Sequence, residues 1–238
     1  MAVSMQMDFT GQVAIITGGG QGIGAAIAEA LSAGGAEVHV FDRAGAEKPG
    51  IAFHAVDVCD AKAVNAAIAA MARPPSLLVN NAGITRDRSI IKMSDEEWQS
   101  VLQVNLTGAF NLIRAVAPAM TAGGYGRIVN IVSINGIRGK FGQANYAASK
   151  GGLIALTKTA AREFGPKGVT VNAVAPGMVL TEMAMKLAEE FRQKAIDESV
   201  LKRLPEEKDI TAATLFLLSD LARMVTGQVL KVDSGQYI

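Results

Sequence analysis

The sequence is poor in the groups that bind metals and form crosslinks. With one cysteine and two histidines, no internal disulfide can close and a zinc cage lacks its usual ligands. The lone thiol, Cys59, reads as a small buried apolar residue. An excess of either charge is missing too: 23 basic against 22 acidic side chains leave a net charge of +1. That balance argues against nucleic-acid binding, which needs a strongly basic face. No apolar run is long enough to span a membrane, and the opening MAVSMQM has neither the basic start nor the apolar core of a secretory signal. The expectation is a cytoplasmic protein with no membrane or nucleic-acid partner. Half of the 238 residues are hydrophobic, enough to bury a large core in one domain.

What is present is an alternation. Short β-rich runs and longer helical patterns follow one another along the whole chain, the pattern of an α/β fold with a doubly wound parallel sheet of about seven strands. Expected strands are Val13 to Thr17, Glu37 to Phe41, Ile51 to Val56, Leu77 to Val79, Ile128 to Val132, Val169 to Ala175 and Gln228 to Val232. Only a short polar loop separates the second and third, so any helix there must be stunted. Residues 10–125 form the expected dinucleotide-binding half, and 126–238 the catalytic and substrate-covering half.

The first strand runs into Gly18, Gly20, Gln21, Gly22, Ile23 and Gly24, ahead of a helix whose apolar positions keep helical spacing. Glycines there let backbone approach a pyrophosphate, and the helix N-terminus attracts its charge. Asp42, eighteen residues beyond Gly24 at the end of the second strand, suits the two ribose hydroxyls and repels a 2′-phosphate. Arg43 beside it blurs that discrimination. Asp57 either reaches the adenine edge or starts the next loop. His39 and His54 lie in strands among apolar neighbours and read as structural. Asn80-Asn81-Ala82-Gly83 makes a second tight turn at the carboxyl end of the sheet, where ligands bind in open α/β folds.

The helix after it opens with the capping box Ser94-Asp95-Glu96-Glu97 and carries an apolar stripe from Trp98 to Ile113. Asn105 falls on that stripe. An unpaired buried amide costs roughly 1–3 kcal/mol, so it needs a specific partner, structural or functional. Residues 144–164 read as a helix that sets Tyr146 and Lys150 four apart on one face. A cation beside a phenol favours the phenolate; lowering a tyrosine from ~10 by about three units takes about 4 kcal/mol. Ser133, at the end of the fifth strand, can be folded toward the tyrosine by the loop 134–145 and hydrogen-bond the same substrate oxygen. The segment 178–204 breaks the alternation with Met178, Met183, Met185, Leu187 and Phe191. Two readings stand, an adaptable cover over an apolar substrate or an amphipathic helix packed on the core.

Thr17-Gly18-x3-Gly22-x-Gly24, Asn80-Asn81-Ala82-Gly83, Asn105, Ser133, Tyr146-x3-Lys150 and Pro176-Gly177 occur in one order over nearly the whole chain. In this the sequence resembles the short-chain dehydrogenase/reductase family. The resemblance implies a Rossmann-like sheet, Tyr146 as general acid/base, Ser133 on the carbonyl, Lys150 on the nicotinamide ribose and the tyrosine, and Asn105 on a proton-relay water. It also implies cofactor contacts from Val58, Asn81, Ala82, Gly83, Tyr146, Lys150, Pro176, Gly177, Val179 and Thr181, and a homotetramer paired through the helices of Asn105 and Tyr146.

Within the family, Asn81 to Asp87, Tyr125 to Asn130 and Gly142 to Tyr146 look like the 3-oxoacyl thioester reductases. Those enzymes usually take NADP, often carry arginine where Gln21 stands and lack an acid at the Asp42 position. Thr121 to Gly124 also lacks the basic residues that some carrier-protein reductases display. The expectation is therefore an NAD-linked oxidoreductase interconverting a 3-oxoacyl thioester and its 3-hydroxyacyl form. The alternatives are a dehydrogenase of another secondary alcohol and a dinucleotide-binding sensor without turnover.

Overall fold

The computed structural model describes residues 7–181, 185 and 188–238. Seven parallel strands make one sheet: β1 (Val13–Thr17), β2 (Glu37–Asp42), β3 (Ile51–Ala55), β4 (Leu77–Asn80), β5 (Gly126–Ile131), β6 (Val169–Pro176) and β7 (Val229–Val232). Their order is β3-β2-β1-β4-β5-β6-β7. The order reverses between β1 and β4, which opens a crevice at the carboxyl ends of the strands. The helices are α1 (Gly22–Ala33), α2 (Ala61–Ala69), α3 (Asp95–Leu102), α4 (Ala109–Gly123), a short α5 (Asn135–Arg138), α6 (Ala144–Phe164), α7 (Glu189–Glu198) and α8 (Glu207–Leu218). No helix joins β2 to β3, as the short polar loop requires.

Strand alternation divides the core in two. Ala14 and Ile16 join Ile27, Leu31, Val40 and Leu217 on the α1 and α8 face. Ile15 joins Phe41, Leu78, Leu112, Ile128 and Val171 on the opposite face, which is covered by α2, α4 and α6. A strand buried on both faces has no polar side to show, so β1, β4, β5 and β6 are buried at every position. Among the described residues no helix is long and apolar enough to cross a membrane.

Several local expectations meet their physical reasons here. Ser94 and Glu97 form the capping box. His39 Nδ1 lies 2.9 Å from His54 Nε2, and His39 Nε2 lies 2.9 Å from the Glu37 carboxylate. Since a carboxylate only accepts, His39 Nε2 carries a proton, and the His39–His54 contact bridges β2 to β3 as a structural unit. The helix carrying Asn105 departs from expectation in not being continuous, because Gln103–Gly108 is wound as a π-helix between α3 and α4. Such turns widen the backbone ladder and are frequent at functional sites.

Candidate active site

The turns after β1 and β4 are pressed together. A Cβ on Gly18, whose φ is +64°, would lie 2.8 Å from Ala82 Cα, and one on Gly24 would lie 2.3 Å from the Gly18 oxygen. Neither place admits a side chain. Asn81 Nδ2 donates to the carbonyls of Thr17 (3.1 Å) and Gly18 (2.9 Å), while Thr17 Oγ1 accepts the amides of Asn81 and Ala82, both at 3.0 Å. The α1 N-terminus has no side-chain cap at Gln21 and no acid in its first turn, whereas Asp60 and Ser94 cap α2 and α3. Uncapped amides beside a turn that excludes side chains fit the pyrophosphate of a nicotinamide dinucleotide. Gly20 and Gln21 are exposed, while Gly22 and Ile23 are partly buried at the start of α1.

Asp42 is bound into the same turn: its Oδ2 accepts the Gly20 amide at 3.1 Å and its Oδ1 the Arg43 amide at 2.7 Å. Asp57 accepts the Cys59 amide at 2.9 Å, the behaviour of a residue starting a loop. Val58 is buried, and its carbonyl accepts Asn111 Nδ2 at 3.0 Å. Cys59 is half-buried rather than buried. Burial pushes its thiol up to about 11, Asp57 adds to the rise, and Arg43 pulls it back a little. Asp42, Arg43, Asp57 and Cys59 therefore share one rim of the crevice.

Across the crevice, the π-helix holds Asn105 fully inside, 1% exposed. Its Oδ1 accepts the Ile84 amide (2.8 Å), and its Nδ2 donates to the Ile84 carbonyl (3.0 Å) and Ser149 Oγ (3.1 Å). This is the partner its place on an apolar stripe demanded. Gly83 packs between Asn105 Oδ1 and Lys150 Nζ, at 3.3 and 3.4 Å from the position a Cβ would take, so the two polar groups converge on that turn. Ser133 lies just past β5, where Oγ accepts the Asn135 amide at 3.1 Å, which leaves its proton to be donated. On α6, Lys150 is 3% exposed, with Nζ donating to the Ile131 carbonyl at 2.8 Å and standing 5.7 Å from the centre of the Tyr146 ring.

The expectation that Lys150 lowers the Tyr146 phenol is not met. Burial pushes the phenol above its usual range; the Ser133 hydroxyl opposes this and the Asp87 carboxylate adds to it. Lys150 is itself pushed down to about 8 by burial. Desolvation therefore sets the direction at both groups, and the Lys150 ammonium faces a backbone carbonyl.

Gln143, Asn135 and Asp87 also belong to this site, although in the sequence they stand out only as parts of longer motifs. Gln143 is 7% exposed, donates through Nε2 to Asp87 Oδ2 (2.8 Å) and accepts Asn135 Nδ2 (3.0 Å). A polar residue just ahead of a helix normally serves as its cap; Gln143 makes no side-chain cap bond to α6, so its buried amide has a different use. Asn145 Nδ2 donates to the carbonyls of Arg86 and Glu97 and fixes the base of α6.

At the far side, Pro176 is buried at the end of β6, Gly177 N–H donates to Val232 O (3.2 Å), Val179 is buried and Thr181 partly so. The covering segment contains α7, with Met185 and Phe191 60% and 55% exposed. Met183, Lys186 and Leu187 lie outside the described residues. Glu198 at the end of α7 accepts from Arg138 (3.4 Å) and Gln236 (3.0 Å), which ties the cover to α5 and the C-terminal turn.

Among known proteins, a family model described as Enoyl-(Acyl carrier protein) reductase matches residues 18–236. The 3-oxoacyl-(acyl-carrier-protein) reductase FabG of Escherichia coli is 40% identical, over 98% of this chain and all of that one. Acetoacetyl-CoA reductase of Rhizobium meliloti is 42% identical over 95% and 98% of the two chains. A solved structure from Agrobacterium tumefaciens, provisionally assigned as a gluconate dehydrogenase, superposes with a TM-score of 0.91 at 30% identity over 98% of each chain. With its Gly-rich turn, Asn105, Ser133, Tyr146 and Lys150 gathered at one end of the sheet, the chain belongs to the short-chain dehydrogenase/reductase family of oxidoreductases.

Proposed function

We propose that the protein is an NAD(H)-linked reductase that interconverts a 3-oxoacyl thioester and its 3-hydroxyacyl form. The observation that carries this reading is the convergence of Ser133, Tyr146 and Lys150 beside a dinucleotide-shaped turn, in a chain 42% identical to an acetoacetyl-CoA reductase. When bound, the nicotinamide supplies or takes up the hydride. Ser133, with the Asn135 amide on one lone pair, donates its proton to the substrate oxygen and holds it. Tyr146, a phenol kept protonated by burial, gives that oxygen its proton during reduction and takes it back in the reverse direction. Lys150 holds the nicotinamide ribose. With a pKa near 8 it passes a proton at close to neutral pH, and Asn105 anchors a water behind it.

Preference for NAD rests on Asp42. Its carboxylate is clamped by the Gly20 and Arg43 amides at the rim where the adenosine ribose would lie, and Gln21 offers no cation to a 2′-phosphate. A homotetramer accompanies the reading: Phe110 on α4 is 41% exposed and Ala148 on α6 is exposed, faces that a second copy would cover. A monomer by light scattering at micromolar concentration would contradict that part.

Mixing the protein with NADH and acetoacetyl-CoA should consume nicotinamide absorbance. Turnover of sugars or cyclic alcohols with no thioester activity would move the protein to the alternative favoured by its likeness to the gluconate-dehydrogenase structure. Dinucleotide binding without turnover of any ketone would make it a sensor.

A further inference from the structure

We propose that Asp87 makes this site refuse ketones carrying a carboxylate beside the reacting carbon, so that a 3-oxoacyl thioester is accepted and the corresponding free 3-oxo acid is rejected. The inference rests on the thioester reading and adds a residue that decides it. Beyond β4, the chain from Ile84 to Arg88 runs along the first turn of α6 and is stitched to it. The Arg88 amide donates to Gly142 O (2.7 Å), Asn145 Nδ2 to Arg86 O (3.0 Å) and Gln143 Nε2 to Asp87 Oδ2 (2.8 Å). Gln143 in turn holds Asn135, whose amide holds Ser133. The Asp87 carboxylate, exposed at the rim, is thus held one buried side chain away from the loop that presents Ser133. Its field reaches the reacting hydroxyl, since it raises the Tyr146 phenol behind the larger effect of burial, with Ser133 opposing.

The cations around Asp87 are committed elsewhere or stand at the rim. Arg86 donates to its neighbour's carbonyl at Thr85 (2.9 Å), Arg88 pairs with Glu97 (2.8 Å), and Arg138 lies between Asn135 and Glu198. Lys150 is buried beneath the site on Ile131 O, and Lys140 is exposed on the loop before Gln143. In a 3-oxo acid the carboxylate is two bonds from the ketone carbon. Seating the ketone oxygen on Ser133 and Tyr146 therefore brings that charge toward Asp87 at the rim, where the two like charges repel. A thioester at the same carbon is neutral and meets no such penalty.

The test compares acetoacetate with the neutral N-acetylcysteamine thioester of acetoacetate, using whichever nicotinamide cofactor the wild type accepts. Asp87→Asn keeps an oxygen for Gln143 and removes the charge. It should raise the ratio of kcat/KM for the acid to that for the thioester about tenfold, while Asp87→Glu should leave the ratio low. In the wild type, salt rising from low ionic strength to about 1 M should lift acetoacetate turnover and leave the neutral thioester unchanged. An unchanged ratio in Asp87→Asn overturns the inference and leaves the functional reading standing. If that variant loses both activities, the wild-type salt series decides, and an equal response of the two substrates overturns it. A wild type that reduces neither compound overturns the functional reading and this inference with it.

Discussion

Asn105, Ser133 and Lys150 are each less than a tenth exposed, Asn105 and Lys150 bonded to backbone about twenty residues away and Ser133 to the Asn135 amide, whereas Met185, Phe191, Val200 and Leu201 in the covering segment are all more than half exposed. The first group would be in place before any substrate arrives, so little reorganisation is left for the chemical step. The second presents exposed apolar area, and its segment is tied to the rest of the protein through Glu198 and through the Leu201 amide, which donates to Ser234 O at 3.1 Å. The contrast divides the site: its polar groups are set by buried bonds, while the apolar side chains of the cover stand exposed.

The sharpest way to break that division is Tyr146→Phe, which removes one oxygen and little packing. It should lower kcat by about 10²–10⁴-fold while NADH still binds, as fluorescence titration would report. Ordinary turnover would end the assignment. Lys150→Met should damage binding and rate together, and it offers a test without substrate. Because Lys150 is held at about 8 against an ordinary 10.5, the unfolded chain binds more protons across that interval, and stability of the cofactor-free protein should rise with pH. Cys59, raised from 9.0 to about 11, works in the opposite direction from 9 upward, so the clean window is pH ~8 to ~9, with a slope of at most about 1.4 kcal/mol per pH unit. Chemical denaturation should find that rise in the wild type and lose it in Lys150→Met.

Asp42→Ala addresses the cofactor side, whose rim is also fixed. Loss of one carboxylate beside a phosphate position should shift the NADH over NADPH preference by about ten- to a hundredfold, and a wild type that already prefers NADPH would refute the assignment. The smallest effect belongs to the cover. Phe191→Ala should change KM for an acyl thioester by about threefold or less and leave kcat alone, since the contact it loses is made equally in ground and transition states. A large fall in kcat there would mean that the cover helps to build the reacting geometry.

Much of the fold and the site is legible in the residues. Val13–Thr17 begins and ends where its apolar run does, and Ala144–Phe164 keeps its expected bounds. Both follow from local pattern: a continuous apolar run between turn residues, and a long helical period closed by glycine. The π-helix is not legible, because the stripe from Trp98 to Ile113 keeps ordinary helical spacing; the deviation answers to Ile84, twenty-one residues away, with which Asn105 exchanges two hydrogen bonds. Only the polar residue on an apolar face hints at it. The direction of the Tyr146 shift escapes local pattern for a related reason. Spacing on a helix brings a lysine near, but burial sets the direction, with lesser effects from Ser133 after β5 and Asp87 beyond β4. The bridge from Asp87 through Gln143 to Asn135 needs three segments to meet, so no window of sequence contains it.

The strand order has a consequence for how the chain comes together. Neighbouring strands β2 and β3 pair residues 13 apart, Val38 with Ile51, whereas β1 and β4 pair residues 63 apart, Ala14 with Leu77, the widest separation of any adjacent pair in the sheet. Closing the longer loop costs roughly 1.4 kcal/mol more chain entropy by the logarithmic rule, and a topology with so many distant pairings folds slowly. That costliest closure also brings Asn81 against Gly18. On refolding from denaturant, dinucleotide binding should therefore return only after β2 and β3 have paired, which would make cofactor fluorescence a late clock for the growth of the sheet.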